Sequence, residues 1–182
     1  MKKAGLDTRP VASKEATMSG VIIYQSTYGS TKQYAEWIHE ETGFPLFESR
    51  ARSIPWDADT IVIGCPLMAF KPVLAGWIEK HRDRLAGRRV FLFTTSGADP
   101  AKQPVRDLIE KALSDDVKRG IRIFPLAGRF DFQKLSRGHR VMLRIAAVIF
   151  RSEAIKHQIR NPVDGVARGN LRDLLAAITA QK

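Results

Sequence analysis

The sequence predicts a doubly wound α/β fold, and three observations support this prediction. Five short apolar runs are typical of buried strands, at residues 21–24, 44–48, 59–65, 88–95 and 121–126. Segments with helical spacing of apolar residues lie between them, so strands and helices alternate along the chain. This alternation requires a parallel sheet with helices on both faces, and 182 residues are enough to bury its core.

The first strand and helix are predicted from the order of side chains. The run 21–24 is rich in β-branched residues, which favour a strand. In residues 32–41 the apolar side chains recur at helical spacing, and Gly43 then ends the helix. The second strand, 44–48, follows directly after that glycine.

The middle of the chain continues the same alternation. The third strand, 59–65, is apolar from residue 61 onward, so we expect it to be covered on both faces. A helix begins after Pro72 and runs to about residue 84, and the fourth strand is 88–95. The helix 103–118 carries Pro104 in its first turn, where proline is tolerated. The fifth strand then closes the sheet.

The composition excludes several classes of protein. No apolar stretch approaches the ~20 residues that span a bilayer, and the N-terminal residues lack the apolar centre of a secretory signal. We interpret residues 1–18 as a disordered leader or tag and 19–182 as a single domain. The one cysteine, Cys65, ends an apolar run, which predicts a packed thiol in a cytoplasmic protein.

The net charge of +11 is concentrated in one segment. Residues 119–168 hold eleven Lys or Arg against three Asp or Glu. This concentration favours an anionic partner, such as phospholipid headgroups or an acidic substrate, and a solvated basic surface is the alternative. No nucleic-acid motif is recognisable and few aromatic residues interleave with the charges, so we expect no nucleic-acid partner.

A hydroxyl-rich loop joins the first strand to the first helix. Unpaired backbone N–H groups and the helix dipole favour an anion at such a loop, and a glycine within it permits the turn. The loop has neither the Gly-x-Gly-x-x-Gly of dinucleotide sites nor the lysine of a P-loop, so it suits a single phosphate monoester. Its residues are Ser26, Thr27, Tyr28, Gly29, Ser30 and Thr31.

This loop resembles the Thr/Ser-x-Thr-Gly-x-Thr loop of the flavodoxins, which wraps the phosphate of FMN. The resemblance implies FMN as cofactor, a strand order of 2-1-3-4-5, and a flavin ring held between the loops after the third and fourth strands. The first of these loops is almost wholly apolar, which suits a flat ring, although its side chains could also simply pack beneath the loop. The further candidate cofactor residues are Pro66, Leu67, Met68, Ala69, Phe70, Thr95, Ser96, Gly97 and Asp99.

An insertion of about residues 129–168 separates the fifth strand from a closing helix at 171–180. Within it, residues 135–153 form an amphipathic helix with arginines in one sector and apolar side chains on the other side. This helix either packs on the domain with a solvated basic face, or lies on an anionic membrane or frames a pocket for an anionic, apolar substrate. The arginines are Arg137, Arg140, Arg144 and Arg151.

A flavodoxin body with this tail resembles the menaquinone-dependent protoporphyrinogen IX dehydrogenases. The resemblance is carried by residues 77–81, 126–128 and 140–145, and it covers residues 19–182. It implies an FMN-dependent oxidoreductase of haem biosynthesis, peripheral on the inner face of the cell membrane, with a porphyrinogen as substrate and a quinone as electron acceptor. No residue is assigned to catalysis or to a metal.

Two other functions stay open on the sequence alone. One is a generic FMN electron-transfer flavodoxin or quinone reductase. The other is a flavodoxin-like binding module without redox activity. A homodimer also stays open.

Overall fold

The computed structural model describes residues 19–68, 71–97, 99–101, 103–149 and 161–180. Its main sheet has five parallel strands in the order β2-β1-β3-β5-β6. This confirms the predicted order, because β4 is only a two-residue strand antiparallel to β3. A separate ribbon is formed by β7 and β8. The strands are β1 (Gly20–Tyr24), β2 (Leu46–Glu48), β3 (Thr60–Met68), β4 (Lys71–Pro72), β5 (Arg89–Ser96), β6 (Ile121–Ala127), β7 (Arg129–Phe130) and β8 (Val163–Asp164).

Two of the predicted helices are divided. The helix expected to end near residue 84 breaks at His81, whose ring Nδ1 bonds the backbone carbonyl four residues earlier at 2.8 Å. The helix expected over 103–118 restarts at Ser114, whose hydroxyl accepts the N–H of Val117 as an N-cap. The helices are α1 (Ser30–Thr42), α2 (Ala75–Lys80), α3 (Arg82–Leu85), α4 (Gln103–Lys111), α5 (Asp115–Gly120), α6 (Arg137–Ile149) and α7 (Arg172–Thr179).

Several element boundaries also differ from the prediction, and three of them have a clear local cause. Helix α1 begins at Ser30 rather than residue 32, because Gly29 takes the left-handed conformation just before it. Strand β2 begins at Leu46 rather than residue 44, after a proline that has no N–H for the ladder. Strand β3 continues to Met68 because its last residues pair with β4.

Each face of the sheet has its own apolar layer. Val21 and Ile23 of β1 face α2, α4 and α5 in one buried cluster, and Ile22 and Tyr24 face α1 and α7 in the other. Successive side chains of a strand point to opposite faces, so a continuous apolar run fills both layers. Within the described ranges, no helix has the length and apolarity needed to cross a bilayer.

Tyr34 connects the inserted segment to the domain. It is fully buried on α1, and its hydroxyl donates to the carbonyl of Ala127 at 2.8 Å. The same oxygen accepts the side-chain amide of Asn170 at 2.7 Å and the N–H of Ala167 at 3.3 Å. One hydroxyl therefore joins α1 to the end of β6 and to the approach to α7.

Candidate functional site

Three loops meet at the carboxyl edge of the sheet. Tyr24 at the end of β1 lies beside Gly64 of β3, which lies beside Phe93 of β5. Strands β3 and β5 stay in register for two more residue pairs, to Pro66 and Thr95. Strand β1 ends at Tyr24, before these last two pairs, and the chain continues as a loop. The residues around this edge line a cavity of about 280 Å³. This is the edge at which doubly wound sheets bind ligands.

The loop after β1 is shaped to receive an anion. Gly29 has a φ of 90°, a left-handed backbone conformation that residues with a Cβ rarely adopt. Its N–H donates to the Ser26 hydroxyl at 3.1 Å. Helix α1 starts directly after it and has no side-chain cap. The first N–H groups of a helix have no partner within the helix, and the first two residues of α1, Ser30 and Thr31, line the cavity. The start of α1 is therefore suited to an acceptor bound there.

Two buried hydroxyls stand at the start of α1. The oxygen of Ser30 accepts the N–H of Arg129 at 3.0 Å. The oxygens of Thr31 and Thr95 lie 2.8 Å apart and join α1 to β5. Because a hydroxyl donates one hydrogen bond and accepts two, Ser30 can accept from Arg129 and still donate to an anion in the loop.

The part of the cavity at the carboxyl ends of β3 and β5 forms a slot. It is lined by Pro66, Leu67 and Met68 of β3 and by Ser96 and Gly97 at the end of β5. A Cβ on Gly97 would lie 2.5 Å from the Cβ of Phe130, so only glycine lets the segment after β6 approach this closely. The Phe130 ring thereby joins the cavity wall.

The inserted segment supplies the third wall of the cavity. Six of its described residues line the cavity, and one of them, His139, contacts the loop after β1 directly. The six are Arg129, Phe130, Asp131, Lys134, Leu135 and His139. The Nδ1 atom of His139 and the hydroxyl of Tyr28 are 2.5 Å apart, and the two rings meet edge to face at 5.9 Å. The Tyr28 hydroxyl also lies 3.3 Å from the N–H of Ser136, which donates to it.

The charged groups of this wall are paired. Arg129 donates to the Asp164 carboxylate at 2.8 Å, and this hydrogen bond holds the pKa of Asp164 below its usual range. Lys134 lies 3.5 Å from the Asp131 carboxylate.

On β3, complete burial raises the pKa of Cys65 to about 12, so its thiol stays protonated and is no nucleophile at neutral pH.

The geometry fits a phosphate monoester attached to a flat, largely apolar ring. An uncapped helix start and hydroxyls with donor capacity suit the phosphate. The slot beside them is lined mainly by apolar side chains and backbone. Ligand-sized space continues from the loop into the slot, so one molecule can reach both.

Most of the predicted cofactor residues come together in this cavity. Gly29 forms the turn without lining it. Asp99 is exposed and does not line the cavity; its carboxylate accepts the N–H of Ala101 at 3.0 Å. Ala69 and Phe70 lie outside the described residues. The predicted residues that line the cavity are Ser26, Thr27, Tyr28, Ser30, Thr31, Pro66, Leu67, Met68, Thr95, Ser96 and Gly97.

The sequence left open that the inserted helix frames a pocket, but it identified none of the inserted residues that line this cavity. Phe130 and His139 both line it, and neither was a candidate. A signal for His139 was available, because helical spacing puts it on the side of α6 away from the arginines. The only sequence signal for Phe130 was its position three residues beyond the end of the edge strand β6, and this position does not define where the ring lies.

The outer face of α6 mixes positive charge with apolar side chains. Arg137 and Arg144 are exposed, Arg140 is half-buried, and Arg151 lies outside the described residues. Val141 and Ile145 are 54% and 52% exposed, beside the arginines. The guanidinium of Arg144 lies 5.4 Å from the centre of the Phe132 ring.

Comparison with known proteins gives a family model that covers most of the chain. A family model described as a flavodoxin domain matches residues 21–153. No curated protein matches the chain significantly. One solved structure with a similar fold is a flavoprotein in complex with FMN from Lactobacillus acidophilus, which is 17% identical over 60% of this chain and 92% of that chain, with a TM-score of 0.46. A WrbA-like flavodoxin from Agrobacterium tumefaciens is 18% identical over 74% of this chain and 98% of that chain, with a TM-score of 0.46. An NADPH-quinone reductase from P. pentosaceus is 16% identical over 75% of this chain and 99% of that chain, with a TM-score of 0.45.

Proposed function

The chain belongs to the flavodoxin-domain family, and we propose that it is an FMN-dependent oxidoreductase that works at an anionic membrane surface with a quinone as electron acceptor. Its cofactor is FMN. The electron donor that we propose is a protoporphyrinogen, as the resemblance of the tail to the menaquinone-dependent dehydrogenases implies. The observation that carries the proposal is that the inserted segment both lines the cofactor cavity and turns a cationic, apolar face outward.

The loop after β1 and the slot beside it would divide the cofactor between them. The backbone of the loop and the hydroxyls of Ser26, Thr27 and Ser30 would hold the phosphate. Leu67 and Met68 would pack against the ring and keep water from it. When bound, FMN supplies hydride and single-electron chemistry, and the chain contributes position and electrostatics.

The outer face of α6 supports the proposed membrane contact. Val141 and Ile145 are large apolar residues at more than half exposure, and Arg137 and Arg144 of the same helix are also exposed. A helix of this composition lies in the interface with its apolar residues in the headgroup layer and its arginines on anionic lipid. Each arginine near such a surface contributes about 1 kcal/mol, and the contribution falls with salt.

A second candidate function is a quinone reductase that acts away from membranes. The contact between Arg144 and the Phe132 ring favours it, because an arginine that stacks on its own domain is less available to lipid. The half-buried position of Arg140 points the same way. The two candidates share the cofactor and differ in their dependence on lipid.

The test combines vesicle binding with turnover. Protein reconstituted with FMN is mixed with vesicles of phosphatidylglycerol and phosphatidylcholine at low and physiological ionic strength. In the same samples, anaerobic oxidation of protoporphyrinogen is followed with a menaquinone in the bilayer. We expect binding that weakens as salt rises, and turnover that requires both quinone and vesicles.

Charge reversal provides the matched comparison. Replacing Arg137→Glu and Arg144→Glu should lower vesicle affinity at least about 30-fold, which corresponds to about 2 kcal/mol for two arginines. The control pair, Arg82→Glu and Arg119→Glu, changes net charge equally on exposed sites of α3 and α5. Equal losses from both pairs, or protein that ignores anionic vesicles, would refute the membrane role. Quinone reduction without vesicles would then favour the second candidate.

A further inference from the structure

The phosphate loop is fastened to the inserted segment at two points. The N–H of Arg129 donates to the Ser30 hydroxyl at 3.0 Å. The Tyr28 hydroxyl accepts the N–H of Ser136 at 3.3 Å and lies 2.5 Å from Nδ1 of His139. Both hydroxyls belong to residues that line the cofactor cavity, and their partners come from a part of the chain about 100 residues away.

The hydroxyl of Tyr28 can donate only one hydrogen bond. A phenol has one hydrogen and two acceptor lone pairs, and the N–H of Ser136 takes one of those pairs. If Nδ1 of His139 is unprotonated, it receives the hydrogen of Tyr28. If Nδ1 carries a hydrogen, it donates to Tyr28 and leaves the phenol hydrogen for a ligand.

We propose that His139 is a positioning residue for the cofactor phosphate and acts through the hydroxyl of Tyr28. With Nδ1–H and the N–H of Ser136 on its two lone pairs, the phenol is fixed in place and keeps its hydrogen for the anion that binds in the same cavity. Two accepted hydrogen bonds also polarise the phenol and strengthen the bond that it donates. The inference rests on the proposed FMN site and names a residue that tunes it.

The inference separates FMN from riboflavin, which has the same ring and no phosphate. Because the Tyr28 hydrogen is kept for the phosphate, changing the pair should weaken FMN and leave riboflavin nearly unchanged. Tyr28→Phe removes one charge-assisted hydrogen bond and should raise the Kd of FMN about tenfold. His139→Leu should raise it about fivefold. The double variant should bind FMN no more weakly than Tyr28→Phe alone, since His139 acts only through that hydroxyl.

A conservative variant and a distant histidine complete the experiment. In His139→Asn the side-chain amide can take the position of Nδ1–H, so the affinity for FMN should return to within about twofold of the wild type. The control is His39→Leu, which removes another hydrogen-bonded imidazole, 2.7 Å from the Phe44 carbonyl near the far end of α1. It should leave both Kd values unchanged. Flavin fluorescence titration measures each affinity.

A spectroscopic readout on the unaltered protein avoids variants that fail to fold. In the FMN complex, ¹⁵N-resolved NMR of the histidine rings should show a hydrogen on Nδ1 of His139. An unprotonated Nδ1, equal losses of FMN and riboflavin affinity in His139→Leu, or additive effects of the two substitutions would each overturn the inference while leaving FMN binding intact. Wild-type protein that binds no FMN would instead overturn the proposed function.

Discussion

Replacing Tyr34 with phenylalanine should lower the free energy of unfolding by about 2 kcal/mol. The substitution keeps the buried ring and removes one oxygen that makes three hydrogen bonds. Two of these bonds are short, to the Ala127 carbonyl at 2.8 Å and the Asn170 amide at 2.7 Å. The loss therefore falls on contacts that hold the start and the end of the inserted segment to α1.

The magnitude follows from the partners that are left behind. A typical intramolecular hydrogen bond contributes about 0.5–1.5 kcal/mol net, and a buried group left unpaired costs about 1–3 kcal/mol. Ala167 is exposed, so water can replace its bond to Tyr34. Asn170 keeps a second bond, to the Gly165 carbonyl at 2.8 Å. The Ala127 carbonyl and one amide hydrogen carry the cost, which gives about 2 kcal/mol.

Urea unfolding followed by circular dichroism measures this change. We expect a lower midpoint with an unchanged m-value, because both proteins expose the same surface on unfolding. Tyr24→Phe is the matched control, since Tyr24 is also buried but its hydroxyl lies 3.5 Å from the Glu48 carboxylate, at the limit of a hydrogen bond. It should cost less than about 0.5 kcal/mol. Equal effects of the two substitutions would refute the role assigned to Tyr34.

Two further predictions concern the cavity and the core. Gly97→Ala should weaken FMN binding about tenfold and destabilise the fold by about 1–3 kcal/mol, because the new Cβ meets Phe130. The control is Gly76→Ala, whose new Cβ meets nothing within 4 Å, and it should neither weaken FMN binding nor destabilise the fold. Titration and thermal unfolding test both variants, and unchanged binding in Gly97→Ala would contradict the close approach. Cys65 should resist iodoacetamide at pH 8 in the native protein, because burial raises its pKa to about 12. Mass spectrometry would show rapid labelling if this is wrong.

The sheet and the phosphate loop could be predicted because their signals are local. The run 61–65 has no polar side chain, and a short run of this kind is typical of a strand covered on both faces. The loop 26–31 carries its hydroxyls and its glycine consecutively, between a strand and a helix. Neighbouring residues alone determine both patterns.

The rest depends on contacts between distant residues. His139 reaches Tyr28 across 111 positions, and Phe130 lies on Gly97 only after β6 has paired with β5. The exposure of Ile145 depends on how α6 docks, which helical spacing does not define. Helix breaks arise similarly, since Ser114 caps α5 while its hydroxyl also donates to Glu79 of α2.

Flavin retention measures the central claim most directly. Purified protein is saturated with FMN or with riboflavin, desalted, and its absorbance spectrum recorded against protein concentration. The account predicts one FMN per chain with a flavin spectrum perturbed from that of free FMN, and an affinity for riboflavin at least about tenfold lower, because the loop after β1 binds the phosphate. Protein that emerges without flavin, or that retains riboflavin as well as FMN, would contradict the account.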